Sequence, residues 1–308
     1  MDFIKKILLL YSCLSIANVF NNSIVQALKA EQIVGGRIVP PQKYTFNAFV
    51  KVSPHGICSG VIIGKKTVIT ASHCLYDSSG KLRSRQVTVI AGTTDVTDTS
   101  ENRVDIDVAK IYILKDFIHE IKYLYQSKDT EFKDIAVLKL TKSLDIKNNP
   151  YISKIELPAN DVNYDGKRVV AFGFGVKGMD FHNSEPMPLF DGKLRYIRAM
   201  VSKGSHCLKF FLKLTIKNSE QFMCAEMEQE SHIIKGSTCK GDSGGPLVYN
   251  ENTLIGIISL GPPFCNVAQT MFIKISSFRT FINKAKLDKP DKTMHCESLS
   301  NESLCSIM

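Results

Sequence analysis

Short apolar runs broken by polar residues dominate the chain: Val61-Ile-Ile63, Thr67-Val-Ile-Thr70, Gln86-Val-Thr-Val-Ile90, Arg168-Val-Val-Ala-Phe172 and Thr253-Leu-Ile-Gly-Ile-Ile258. They are rich in β-branched residues and separated by Gly, Pro, Asn, Asp and Ser, which is how strands ended by turns read in a sequence. The pattern predicts an all-β protein, not alternating strands and helices. One helical period stands out near the end, where Phe278, Phe281, Ile282 and Ala285 recur between Ser277 and about Leu287, with Ser276 or Ser277 as the expected N-cap. Residues 288–308 are polar and read as a tail, with an Asn301-Glu302-Ser303 glycosylation acceptor pattern.

The first residues break this pattern. Lys5 and Lys6 precede the run Ile7-Leu-Leu-Leu10-Tyr-Ser-Cys-Leu14, and small residues follow at Ser15 and Ala17. A basic start, a short apolar run and a small-residue cleavage point describe a secretory signal over residues 1–17. The run is too short for a membrane helix of about 20 residues. The chain is therefore expected to be secreted, extracellular and without a membrane partner.

Composition narrows the class. With 308 residues, 44% hydrophobic and 22% charged, the chain has room for one large core or two packed units, and neither disorder nor a membrane-spanning fold is indicated. Of nine cysteines, Cys13 leaves with the signal. The remainder, Cys58, Cys74, Cys207, Cys224, Cys239, Cys265, Cys296 and Cys305, is an even set suited to disulfides in an oxidising compartment. None lies in a C-x-x-C pair, so a structural zinc site is not implied. The net charge of +9 falls to +8 without residues 1–32, which carry three lysines against two acids. A basic surface favours solubility and acidic partners. No basic cluster interleaved with aromatics points to nucleic acid.

Three distant segments carry candidate chemistry: Thr70-Ala-Ser-His73-Cys74, Asp134-Ile-Ala-Val-Leu138 and Gly241-Asp242-Ser243-Gly244-Gly245-Pro246. A serine hydroxyl is a weak nucleophile at neutral pH unless a base takes its proton. An imidazole titrates in the right range to do so. A buried carboxylate fixes the ring tautomer and stabilises the imidazolium. His73, Asp134 and Ser243 supply one group of each kind. Two other motifs are decoys. Gly173-Phe-Gly175-Val-Lys-Gly178 fits a dinucleotide loop but no helix follows it, and His119-Glu120 has Tyr123 where a zinc peptidase needs a second histidine.

With Ile33-Val-Gly-Gly36 as a new N-terminus, these segments resemble the chymotrypsin-like (trypsin family) serine proteases from Ile33 to about Leu287. The resemblance implies two antiparallel β-barrels, at residues 33–155 and at 156–287 with the C-terminal helix, after a pro-segment at 18–32. It implies His73, Asp134 and Ser243 as catalytic residues and the backbone N–H groups of Gly241 and Ser243 as the oxyanion hole. It implies disulfides Cys58 with Cys74, Cys207 with Cys224, and Cys239 with Cys265. Cys296 and Cys305 have no counterpart in the family core, and their proximity suggests a pair within the tail.

The resemblance also implies a zymogen: cleavage between Gln32 and Ile33 would free an α-amino group to pair with Asp242, leaving the precursor nearly inactive. The bond follows Glu31-Gln32, not Arg or Lys, so trypsin is not the expected activator. Ser237 stands where trypsin-like relatives carry aspartate. Thr238, Ser259, Leu260, Gly261 and Thr270 are the expected pocket walls, which favours a medium apolar residue before the scissile bond. Thr93 and Arg103 replace acidic residues of a loop that binds calcium in some relatives, so no metal and no cofactor is expected. Ser72 replaces the usual alanine and Phe174 the usual tryptophan. Expected partners are protein or peptide substrates, an activating protease and protein protease inhibitors, and the chain is expected to be monomeric. The rival reading is a catalytically silent protease homologue acting as a binding or decoy protein. An esterase of another fold would show the order Ser, Asp, His, which is absent.

Overall fold

The computed structural model describes residues 36–54, 56–120, 133–177, 179–182, 185–203, 219–229, 236–261, 265, 268–300 and 305. The described elements are mostly strands. They begin with β1 (Arg37–Ile38), β2 (Asn47–Val52), β3 (Gly56–Gly64), β4 (Thr67–Thr70), β5 (Val87–Ala91), β6 (Val104–Leu114), a short helix α1 (Lys115–Glu120) and β7 (Ala136–Leu140). There follow β8 (Arg168–Gly173), β9 (Met179–His182), β10 (Glu185–Pro188), β11 (Arg195–Val201), β12 (Phe222–Met227), β13 (Pro246–Tyr249), β14 (Thr253–Leu260), β15 (Gln269–Lys274), α2 (Arg279–Lys286) and β16 (Met294–Ser298).

Pairing runs β6-β5-β2-β3-β4-β7 and closes through β6 with β7, while β11-β12-β15-β14-β13-β8 closes through β8 with β11. All ladders between these strands are antiparallel. The result is two closed six-stranded barrels, as the resemblance implied. Closure removes the exposed sheet edges that short strands would otherwise present. Val50, Val61, Ile69, Val89, Ile111 and Leu138 fill the first barrel and are fully buried. Each such side chain stabilises by about 1.5–3 kcal/mol relative to exposure. Cys58–Cys74 and Cys239–Cys265 form as expected, with sequence separations of 16 and 26 residues. Cys224 is disulfide-bonded, and its expected partner Cys207 lies outside the described residues.

Two expectations are corrected. The tail does not trail away: β16 pairs antiparallel with β6 from Met294 opposite Leu114 to Ser298 opposite Lys110, adding an outer strand to the first barrel. Cys296–Cys305 closes it, and Arg85 holds it through Glu297 at 2.9 Å. Neither Ser276 nor Ser277 caps the helix by its side chain, because α2 begins at Arg279 after a 3-10 turn. Their hydroxyls instead donate to Asp161 Oδ1 at 2.9 Å and to the Glu220 carbonyl at 3.0 Å, tethering neighbouring segments.

Candidate active site

His73 lies in a 3-10 turn, Ser72–Cys74, that follows β4, and Asp134 sits just before β7. Because β4 and β7 pair with Thr70 opposite Ala136, both residues emerge at the same end of adjacent strands. The Asp134 carboxylate is fully buried and saturated with donors. Oδ1 accepts from the His73 backbone N–H at 2.9 Å, and Oδ2 lies 2.7 Å from His73 Nδ1 and accepts from Ser259 Oγ at 2.6 Å. On the other side of the ring, His73 Nε2 lies 2.8 Å from Ser243 Oγ. The turn is anchored by Cys58–Cys74 and by Arg83 Nε, which donates to the carbonyls of His73 and Tyr76 at 3.2 and 3.1 Å. Burial lowers the affinity of the His73 ring for a proton, but the charge of Asp134 and its hydrogen bond outweigh burial and raise the pKa above the ordinary 6.5.

Ser243 sits in a tight loop with positive φ at Gly241 (94°) and Gly244 (80°), a backbone region that side chains rarely adopt. Gly244 also packs so closely that a Cβ would meet Thr70 Oγ1 at 2.2 Å. Ser59 on β3 staples this loop to the first barrel. Its N–H donates to the Ser243 carbonyl at 2.8 Å, its hydroxyl donates to the Gly241 carbonyl at 3.0 Å, and that hydroxyl accepts from the Phe174 N–H at 2.9 Å. The sequence reading did not find Ser59, since nothing local marks it. Among the described residues the N–H groups of Gly241 and Ser243 have no acceptor, leaving two free donors in the loop that carries Ser243.

Asp242 is fully buried behind this loop. It accepts from the Cys239 N–H at 2.7 Å and the Gly175 N–H at 2.8 Å. Burial outweighs these bonds and pushes its pKa up to about 7. Gly173 and Gly175, the first two glycines of the false dinucleotide motif, make room for it: a Cβ on either would stand 2.1 or 2.5 Å from Asp242 Oδ1. Ile33, the expected partner of Asp242, lies outside the described residues.

Several of the expected pocket residues contact one another: Thr238 meets both Thr270 and Gly261. Ser237, Thr238 and Thr270 are buried. The Ser237 hydroxyl donates to the Thr238 carbonyl at 3.0 Å, and the Thr238 and Thr270 hydroxyls bond each other at 2.8 Å, joining the two walls. Cys239–Cys265 links the same segments, with Cα atoms 5.0 Å apart. Leu260 and Gly261 lie at and just beyond the end of β14, and a Cβ on Gly261 would meet Thr238 Oγ1 at 2.9 Å. The Ser259 hydroxyl, near the end of β14, is bound to Asp134 Oδ2 at 2.6 Å. In the loop compared with calcium sites, the Arg103 guanidinium donates to the Val96 and Asp98 carbonyls at 2.6 and 3.2 Å and pairs with Asp105. A fixed side-chain cation thus gathers those carbonyls.

The sequence profile described as Trypsin matches residues 33–282. Similar curated proteins include the clotting factor G beta subunit of Tachypleus tridentatus, 27% identical over 75% of this chain and 71% of that protein. Chymotrypsin-2 of Vespa crabro is 27% identical over 83% of the chain and 100% of its own length. Granzyme B(G,H) of Mus musculus is 27% identical over 91% and 98%.

Proposed function

The chain belongs to the trypsin family of serine proteases, and from that premise we propose that it is a secreted endopeptidase that works through an acyl-enzyme on Ser243, is activated by cleavage before Ile33, and favours an apolar residue before the scissile bond. The observation that carries the reading is the continuous chain from Asp134 Oδ2 through His73 to Ser243 Oγ, at 2.7 and 2.8 Å, beside two N–H donors without acceptors among the described residues.

Ser243 Oγ attacks the peptide carbonyl carbon while its proton passes to His73 Nε2. The oxyanion takes the N–H groups of Gly241 and Ser243, a donor pair of which each member is worth about 3 kcal/mol in the transition state. The C–N bond breaks, His73 returns the proton to the departing amine, and the acyl group stays on Ser243. Water then attacks the acyl carbon and gives a proton to His73; the bond to Ser243 Oγ breaks, His73 returns the proton to Oγ, and the acid leaves. Asp134 holds the imidazole oriented and balances its charge throughout.

Specificity follows from the pocket. A substrate Arg or Lys would bury its charge among the hydroxyls of Ser237, Thr238 and Thr270 with no carboxylate from these residues, at a large desolvation cost. The Thr238–Thr270 bond narrows the site, which supports Leu, Met or Val over Phe or Tyr. Because one methylene is worth about 1–3 kcal/mol, the preference is graded. Cleavage before Ile33 would provide an ammonium for Asp242, whose burial otherwise opposes its charge. The tests are N-terminal sequencing of the active form, which should begin at Ile33, and kcat/KM on peptides differing only before the scissile bond. An Arg or Lys optimum would sink the pocket reading, and a start other than Ile33 would sink the activation reading.

A further inference from the structure

β11 buries every second residue, Arg195, Ile197, Ala199 and Val201, and turns Arg198 and Met200 outward. Arg195 therefore holds a charge at a position where the alternation places apolar side chains, and it is only 4% exposed. A buried guanidinium is retained only where carboxylates or other acceptors answer it. Asp191 answers two of its nitrogens, at 3.2 and 3.1 Å, but Nε is buried without an acceptor among the described residues.

The register places a second carboxylate on the same face of the sheet as Arg195. Arg195 is the cross-strand partner of Gly173, and directly paired residues of an antiparallel ladder project to the same face. On that face of Gly173 lies the Asp242 carboxylate, whose Oδ1 stands 2.1 Å from where a Cβ would be. The next inward residue, Ile197, packs against Gly236 at the start of the segment leading to Ser243, its Cδ1 being 2.2 Å from a Cβ built there. Arg195 is also the cation whose charge acts on Asp242.

We propose that Arg195 is a positioning residue, the resident counter-ion of Asp242, which keeps the oxyanion loop partly ordered in the uncleaved chain. The inference rests on the proposed activation before Ile33 and revises the expectation of a nearly inactive precursor. While Ile33 is still joined to Gln32 there is no α-ammonium, and Arg195 supplies the positive charge that an ionised Asp242 requires. Cleavage then brings a closer cation, so activity rises in proportion to what Arg195 left incomplete.

The experiment compares uncleaved and cleaved forms of the full secreted chain, with a cleavage sequence for a narrow-specificity protease inserted before Ile33. The wild type, Arg195→Met, Arg195→Gln and Arg195→Lys are measured by kcat/KM on one peptide and by active-site titration. Methionine keeps the side-chain volume without charge, and burst titration of the cleaved form counts folded active sites. Arg195→Met is expected to lower the uncleaved activity at least about tenfold more than the cleaved activity, within the usual range for coupling between an effector site and a second site. Arg195→Lys should recover most of that difference. If cleavage raises activity by the same factor in the wild type and in all three variants, Arg195 merely braces Asp191 and the inference is overturned. If cleavage raises activity in no form, the activation reading itself fails, a separate pattern.

Discussion

Two fully buried carboxylates stand on either side of Ser243, and they are held in opposite ways. Asp134 receives the backbone N–H of His73, its ring and the hydroxyl of Ser259. Asp242 receives two backbone N–H groups and has its pKa pushed up to about 7 by burial. The first barrel thus presents its acid and base already assembled. In the loop of the second barrel Asp242 forms no salt bridge among the described residues, so a cation brought to it by the proposed cleavage would act on that loop while leaving the Asp134–His73–Ser243 hydrogen bonds as they are. Burying a carboxylate is costly unless it is paired, so an incompletely partnered one is a natural point of control.

The most severe way to break this contrast is Asp134→Asn, which keeps the shape but favours the wrong tautomer of His73. It should lower kcat by about 10⁴-fold with KM little changed, as measured by steady-state kinetics on the cleaved protein. Asp242→Asn should cost on the order of 10²–10³-fold, the scale of a lost oxyanion donor. It should also remove the difference between cleaved and uncleaved forms, while Asp134→Asn leaves their ratio intact. A pH profile sharpens the Asp134 side. His73 must be neutral to accept a proton and its pKa is raised, so kcat/KM should fall about tenfold per pH unit below a limb lying above 6.5. Stability moves the other way: the charged pair of His73 with Asp134 contributes fully below 6.5 and loses that contribution as pH rises through the folded-state value. The smallest effect concerns Ser72, whose hydroxyl is buried next to His73 without a partner among the described residues. Ser72→Ala should raise the unfolding free energy by about 1 kcal/mol in denaturant melts, with kcat unchanged.

What could be read from the sequence was local or came in short motifs. The runs at Thr67–Thr70 and Arg168–Phe172 became β4 and β8 because period-two apolar patterning settles strands wherever one face is buried. Triad residues were legible because each sits in a recognisable segment. Ser59 and Arg195 were not, and Ser259 was expected as a pocket wall but not as a donor to Asp134. Ser59 and Arg195 act through partners more than a hundred residues away or across a ladder, and Ser259 is an ordinary serine at the end of a strand. In Arg195 a signal existed, a charge in the buried phase of an alternating strand. β16 was hidden for another reason: Met294-His295-Cys296-Glu297-Ser298 has no apolar alternation, and past the buried Met294 its strand character comes from pairing with β6.

Ser243, as proposed, is a nucleophile activated by its neighbours and released by cleavage before Ile33. The most direct test is the intact mass of the cleaved protein after treatment with a sulfonyl fluoride. One adduct per chain, mapped to Ser243, lost in Ser243→Ala and slowed by on the order of 10⁴-fold in Asp134→Asn, is the predicted result. A cleaved, folded protein that takes up no label at Ser243 would contradict the account and leave a protease fold without the chemistry.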